Sequence, residues 1–150
     1  MLRIALSVFV LVLLAACGRN EQSRLEEFNT RPVTLPDGTR INAEVATHQI
    51  DMGRGLMFRE SLPEGRGMLF IHGSPGKYSY WMYQVKIPLD IIWMDGRGRV
   101  VEFHDSAPPC KGPSSQCPNF GGNETALVVL ELPGGSAKKH GVARGEFIRF

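Results

Sequence analysis

From Ile87 to Met94 the chain is an apolar run entered by Pro88 and interrupted by a single acid, Asp90. Read as a strand, it turns Leu89, Ile91 and Trp93 to one side and Asp90, Ile92 and Met94 to the other. A carboxylate on so apolar a surface requires a cationic or hydrogen-bonding partner, because an unpaired buried charge is too costly. Asp95-Gly96-Arg97-Gly98 then marks a hairpin turn. Arg99 to Asp105 returns beside the run, with Val101, Phe103 and Asp105 alternating with Val100, Glu102 and His104. Thr125 to Leu132 is apolar at both parities, the pattern of a central strand.

Upstream, Val33–Leu35 and Arg40–Ala46 flank Pro36-Asp37-Gly38-Thr39, a proline-led hairpin turn. Ile41, Ala43 and Val45 alternate with Asn42 and Glu44, so one face of that hairpin is wet. Thr47 can cap a helix running to about Phe58, with Ile50, Gly53, Leu56 and Met57 sharing a face. Gly53 and Gly55 weaken such a helix by roughly 1 kcal/mol each relative to alanine, which points to close packing there. Gly67 to His72 reads as a short buried strand, Ser136 to His140 as a helical turn stopped by Gly141, and Glu146 to Phe150 as a closing strand. The expected fold is α+β. It is a compact β-rich domain over residues 32–150, with about seven or eight strands in a barrel-like or strongly curved mixed sheet. One helix packs on the sheet, and a short helical turn lies near the C-terminus.

The N-terminus changes the picture by adding a location. Arg3 is followed by an apolar run, Ile4 to Leu14, too short for a typical membrane span. It ends in Leu14-Ala15-Ala16-Cys17, which looks like a lipobox. The expectation is a lipoprotein signal peptide over residues 1–16, lipidation of Cys17, and a tether over residues 17–31. A plain secretory signal or a short helical anchor is the alternative. Acyl chains on one cysteine anchor a domain because each buried methylene contributes about 0.8 kcal/mol. Gly18 in place of Asp points to the outer rather than the inner membrane, with the domain facing the periplasm. Losing residues 1–16 removes one positive charge from a formal balance of +2. Such a nearly neutral domain, with no basic run, has no electrostatic footprint for nucleic acid. The expected partners are the bilayer, through Cys17, and a small ligand or envelope component. A monomer is expected, with no cofactor and no metal.

Of three cysteines, Cys17 is assigned to lipid, leaving Cys110 and Cys117. In an oxidising compartment they form a structural disulfide, reinforced by Pro108, Pro109, Pro113 and Pro118; a redox couple or half of a zinc site is the alternative. No CxxC or HxxxH spacing supplies further zinc ligands.

Several motifs occur in order: Arg54-Gly55-Leu56-Met57-Phe58-Arg59, Gly67-Met68-Leu69-Phe70, Trp81-Met82, Ile87-Pro88-Leu89-Asp90-Ile91-Ile92, Leu130-Glu131-Leu132, and Gly145. Over about Arg40 to Phe150 the chain resembles the prokaryotic family named domain of unknown function 192. The resemblance implies a β-rich α+β domain, exported or membrane-associated, without an established activity. Three positions depart from the family pattern. Gln84-Val85 stands near the place of Asn-Thr, Glu146 replaces the Asp after the final glycine, and Phe120 stands where Tyr is frequent.

The candidate site gathers Arg54, Arg59, Trp81, Asp90 and Glu131. Arg54 and Arg59, as bidentate donors, are the expected partners of Asp90, with Lys86 nearer in sequence. One reading is a structural ion pair fixing the helix over the sheet. The other is an anion-binding arginine oriented by Asp90, with Trp81 as an aromatic wall. Glu131 is expected at a solvated strand end, or facing Glu102 or Asp90. Met57, Met68, Met82 and Met94, with His72 and His104, lack the clustering that a copper site needs. The function expected is a non-catalytic binding or scaffold domain. The alternative is a hydrolase-like enzyme using Asp90 or Glu131 with an arginine or His104, although no nucleophile elbow, metal cage or phosphate loop accompanies them.

Overall fold

The computed structural model describes residues 30–150; the expected signal peptide, Cys17 and most of the expected tether lie outside them. Eight strands and two short helices follow one another. They are β1 (Thr30–Thr34), β2 (Arg40–Ala46), α1 (Gln49–Arg54), β3 (Arg66–Gly76) and β4 (Ser79–Trp81). After them come β5 (Leu89–Met94), β6 (Val100–Ala107), β7 (Asn119–Gly121), β8 (Ala126–Pro133) and α2 (Ser136–Lys139). Six strands form a mixed sheet in the order β1-β2-β3-β8-β5-β6, while β4 and β7 pair as a separate ribbon. Only β2 and β3 run parallel, and α1 lies in the crossover between them. The expected β-rich α+β fold is the fold observed.

Alternation along the strands splits the interior into two cores. On one face of the sheet Val33, Ile41, Leu69, Ile92, Met94 and Leu130 pack together. On the other, Phe70, Leu89, Ile91, Trp93 and Val129 pack beneath Leu56, Met82 and Val85. The split of Leu89, Ile91 and Trp93 from Ile92 and Met94 follows from strand parity alone. Every residue of β5 is buried, and β8 lies between β3 and β5, so the doubly apolar run is central.

The sheet curls without closing into a barrel. The expected strand at Glu146–Phe150 makes only isolated bridges, Thr34 to Arg149 at one edge and Arg99 to Phe147 near the other. Its backbone is shared between two edges: Arg149 exchanges both backbone hydrogen bonds with Thr34, and Ile148 N–H donates to the Gly98 carbonyl. That sharing prevents a continuous ladder with either edge.

The helix is shorter than the pattern predicts. It begins after His48 rather than at a Thr47 cap, and ends at Gly55, whose φ of 46° leaves the helical region. Ile50 is 85 % exposed instead of lying on a buried face. A side chain added at Gly53 would meet open space, so that glycine is not a packing position; at Gly55 it would meet the Phe70 ring. Gly55 therefore ends the helix. It frees Leu56 to drop into the core, where it is 1 % exposed.

The cysteines form the expected disulfide, Cys110–Cys117. It closes the loop between β6 and β7, and β7 in turn pairs with β4 through Tyr80 and Phe120. Gly121 follows Phe120 with a φ of 66°, and a methyl there would overlap the Trp93 ring. Trp93 is held at that spot by its Nε1–H, which donates to the Tyr78 carbonyl at 2.7 Å.

Candidate binding cleft

Asp90 is fully buried and has three backbone partners. It accepts hydrogen bonds from the N–H groups of Ser106 at 2.8 Å, Gly135 at 2.9 Å and Ala137 at 2.7 Å. The β5–β6 register explains the first. Leu89 faces Ala107 but Ile91 faces His104, so β6 carries an extra residue. Ser106 there adopts a φ of 50° and turns its N–H out of the ladder. The other two belong to the turn into α2. Asp90 is thus a structural acid that fixes two irregular backbone segments, and neither Arg54 nor Arg59 is its partner. Backbone amides satisfy the carboxylate in place of a guanidinium.

Arg59 instead grips Glu44 through two hydrogen bonds, of 2.6 and 2.5 Å. That pair ties the segment after α1 to β2. Lys86 pairs with Glu60 on the surface.

The remaining candidates converge elsewhere. Arg54, Trp81 and Glu131 line one cleft between the α1 segment and the β4 ribbon. The cleft is open to solvent, and about 280 Å³ of empty space, open solvent included, lies over its lining. Met52 and Gly53 to Met57 form one wall; Tyr80, Trp81 and Tyr83 form the other, and Phe70 and Val85 line it as well. Trp81 is 40 % exposed and its ring leans on that of Tyr83, with centroids 5.3 Å apart. Tyr80 meets Phe70 edge-on at 5.1 Å, and its hydroxyl lies 3.1 Å from Nε2 of His72. Arg54 is exposed, and no hydrogen bond or ion pair engages it among the described residues.

Glu131 is the unusual member. It lies on β8 between Met68 of β3 and Ile91 of β5, on the opposite face from Asp90, whose neighbour is Leu132. It is 4 % exposed, neither at a solvated strand end nor paired with Asp90. Nor does it face Glu102, which accepts hydrogen bonds from the Asn123 and Glu124 backbone and the Asn123 side chain. Among the described residues no hydrogen bond reaches its carboxyl. Every fully enclosed side-chain oxygen among them has a partner, so the Glu131 oxygens open onto the cleft. Burial pushes its pKa up to about 8, leaving it largely protonated at neutral pH. The Tyr80 hydroxyl is raised too, by its own burial first and then by Glu131 and Tyr78. Burial lowers the pKa of His72.

Residues outside the five candidates build most of the walls, among them Met52, Tyr80 and Tyr83. The signal for the two tyrosines was present in the run Tyr78-Ser79-Tyr80-Trp81-Met82-Tyr83, whose aromatic spacing extends beyond Trp81. His104 packs on Phe120 at 4.5 Å and does not line the cleft. No cluster of histidine, cysteine and carboxylate side chains with metal-binding geometry occurs among the described residues.

A family model, DUF192, described as an uncharacterized family, matches residues 33–150. The crystal structure of a protein of unknown function from Novosphingobium aromaticivorans DSM 12444 is similar at 30 % identity and a TM-score of 0.73. That match covers 81 % of this chain and 85 % of the other. A proposed transcription regulator from Sinorhizobium meliloti 1021 is similar at 26 % identity and a TM-score of 0.69, over 79 % of this chain and 89 % of the other. No curated protein matches the sequence.

Proposed function

The chain belongs to the DUF192 family, and from the cleft it carries we propose a non-catalytic binding domain of the bacterial cell envelope. It takes a small, partly apolar ligand between α1 and the β4 ribbon. The observation that carries this reading is Glu131, a buried carboxyl without a protein partner that opens onto an aromatic-lined cleft. A carboxyl whose residue is nearly buried, whose oxygens turn to an opening and whose pKa burial raises marks a candidate functional site. A concave apolar site with a few convergent polar groups is also the usual form of a small-ligand pocket.

In this reading the domain is tethered through a lipidated Cys17 and faces the periplasm, most naturally from the outer membrane, as the lipobox-like sequence supports. The Cys110–Cys117 disulfide accords with an oxidising compartment. The regulator role proposed for the Sinorhizobium relative is not carried over. A formal charge of +2 spread over the whole chain offers no basic stripe for nucleic acid. Hydrolysis by Asp90 or Glu131 with His104 is disfavoured because three backbone N–H groups take up the Asp90 carboxylate and His104, packed on Phe120, does not line the cleft with Glu131.

Native mass spectrometry of the purified full chain tests the reading. A retained small molecule that Glu131→Gln loses, with the fold intact, is the expected result. Identical spectra for both proteins, with no ligand in either, would count against it.

A further inference from the structure

Resting on the binding reading above, the geometry points to a ligand class: we propose that the cleft takes an organic ammonium, its cationic head against Glu131 and an anionic group outward at Arg54.

The depth of the cleft selects the charge. Glu131 is the acid at the base, on β8, and its strand neighbours Met68 and Ile91 offer no proton donor. The lining is aromatic and thioether: Phe70, Tyr80, Tyr83 and the exposed Trp81, with Met52 and Met57 from the α1 side. Aromatic faces attract cations, most strongly where water is excluded. A carboxylate among such faces is therefore suited to an ammonium head, with alkyl carbons against the rings. An anion would gain at most one hydrogen bond, from the neutral carboxyl, and no full positive charge at the base; an ammonium converts that carboxyl into a charge-paired partner. Arg54 stands at the α1 side, exposed and unengaged, and would repel a simple amine. A ligand that carries a carboxylate or phosphate at its outer end turns that repulsion into an ion pair. The ligand class is thus an ω-amino acid or another zwitterion with separated charges.

Proton balance follows from the same geometry. The free protein holds Glu131 as the neutral acid. When the ammonium arrives, the carboxyl gives its proton to solvent and becomes the paired carboxylate, while the ligand amine keeps its own protons. The other titratable or charged groups lining the cleft with Glu131 are Tyr80, Tyr83 and Arg54, with His72 one hydrogen bond behind Tyr80. The Tyr80 hydroxyl stays protonated, and burial keeps His72 neutral at neutral pH. Binding near pH 7 therefore releases close to one proton per ligand. Affinity rises almost tenfold per pH unit below about 8, where Glu131 titrates, and levels off above it.

Calorimetric titration of the full chain in detergent, at pH 7 in two buffers of different ionisation enthalpy, tests this. The probes are ε-aminocaproate, hexylamine and hexanoate. The expected order of affinity is ε-aminocaproate, then hexylamine, then hexanoate, with proton release for the two amines. Glu131→Gln should abolish the proton release and weaken both amines at least tenfold. Arg54→Ala should bring ε-aminocaproate down to the level of hexylamine. Hexanoate binding as well as hexylamine, or amine binding without proton release, overturns the ammonium class and leaves a binding cleft of another specificity. If no probe binds but native mass spectrometry finds a retained molecule, the class is again wrong and the binding reading survives. If neither finds a ligand, both are overturned.

Discussion

Replacing Glu131 by glutamine should make this protein more stable at alkaline pH. Burial moves the carboxyl from an ordinary pKa of 4.5 to about 8. A folded-state pKa above the unfolded value means the folded state binds the proton more tightly. The associated stability is therefore complete below about pH 4.5 and is lost as pH rises through 8. Each pH unit between those two values is worth about 1.4 kcal/mol, so the loss is on the order of 5 kcal/mol. That is an upper bound, because the cleft opens to water and an ionised Glu131 can draw some in. Against a total stability of roughly 5–15 kcal/mol, it remains a large fraction. Glutamine keeps the shape and cannot ionise, at a cost of about 1 kcal/mol where its amide lacks a partner. Urea unfolding of both proteins at pH 5, 7 and 9 would read the difference. The expected result is near-parity or a slight wild-type advantage at pH 5 and a clear advantage for Glu131→Gln at pH 9. His72, whose pKa is lowered, gives the opposite slope, stability lost as pH falls below its ordinary 6.5, but it is common to both proteins and cancels in the difference. Parallel curves from pH 5 to 9 would refute the reasoning that Glu131 is buried and unpaired.

Three further outcomes are expected, two from the fold and one from the lipobox-like sequence. Asp90→Asn replaces an acceptor of three backbone hydrogen bonds with a group that turns N–H towards N–H; unfolding should occur at lower denaturant by roughly 3–5 kcal/mol. An unchanged midpoint would remove Asp90 from its structural role. Converting Cys110 and Cys117 to serine should cost about 2.5 kcal/mol in the chain-entropy model. It should also loosen the β4–β7 ribbon, seen as faster amide exchange at Tyr80 and Trp81; exchange unaltered there would separate the disulfide from the cleft wall. Cys17→Ser should shift the protein from the membrane fraction to the soluble fraction, and continued sedimentation with membranes would contradict lipid anchoring at that residue.

What could be read in the sequence, and what could not, divides along physical lines. The parity of Leu89 to Met94, the turn at Asp95–Gly98 and the doubly apolar run of β8 are local patterns, and all three reappear in the structure. The need for a partner at Asp90 was also legible, since it follows from the cost of burying charge. The partner's identity was not, because Ser106, Gly135 and Ala137 contribute backbone N–H groups that every residue but proline carries. Gly53 and Gly55 look alike in a helical pattern, and only the backbone angles of Gly55 show that the helix ends there. Glu131 looked like a strand-end acid because its surroundings come from distant segments: Met68 and Ile91 beside it, Tyr80 and Arg54 across the cleft. Three of the five candidates, Arg54, Trp81 and Glu131, do meet, around a different acid from the one that first drew attention.

The central claim is that Glu131 is a buried, unpartnered acid at the base of a ligand cleft, and its own titration tests this most directly. Carbon-13 NMR of the Glu131 side-chain carboxyl, assigned by comparison with Glu131→Gln, would follow it from pH 4 to 10. A midpoint near 8 is expected in the free protein, with a large downward displacement when an ammonium ligand is present. A midpoint in the ordinary carboxylate range, unchanged by ligand, would contradict it.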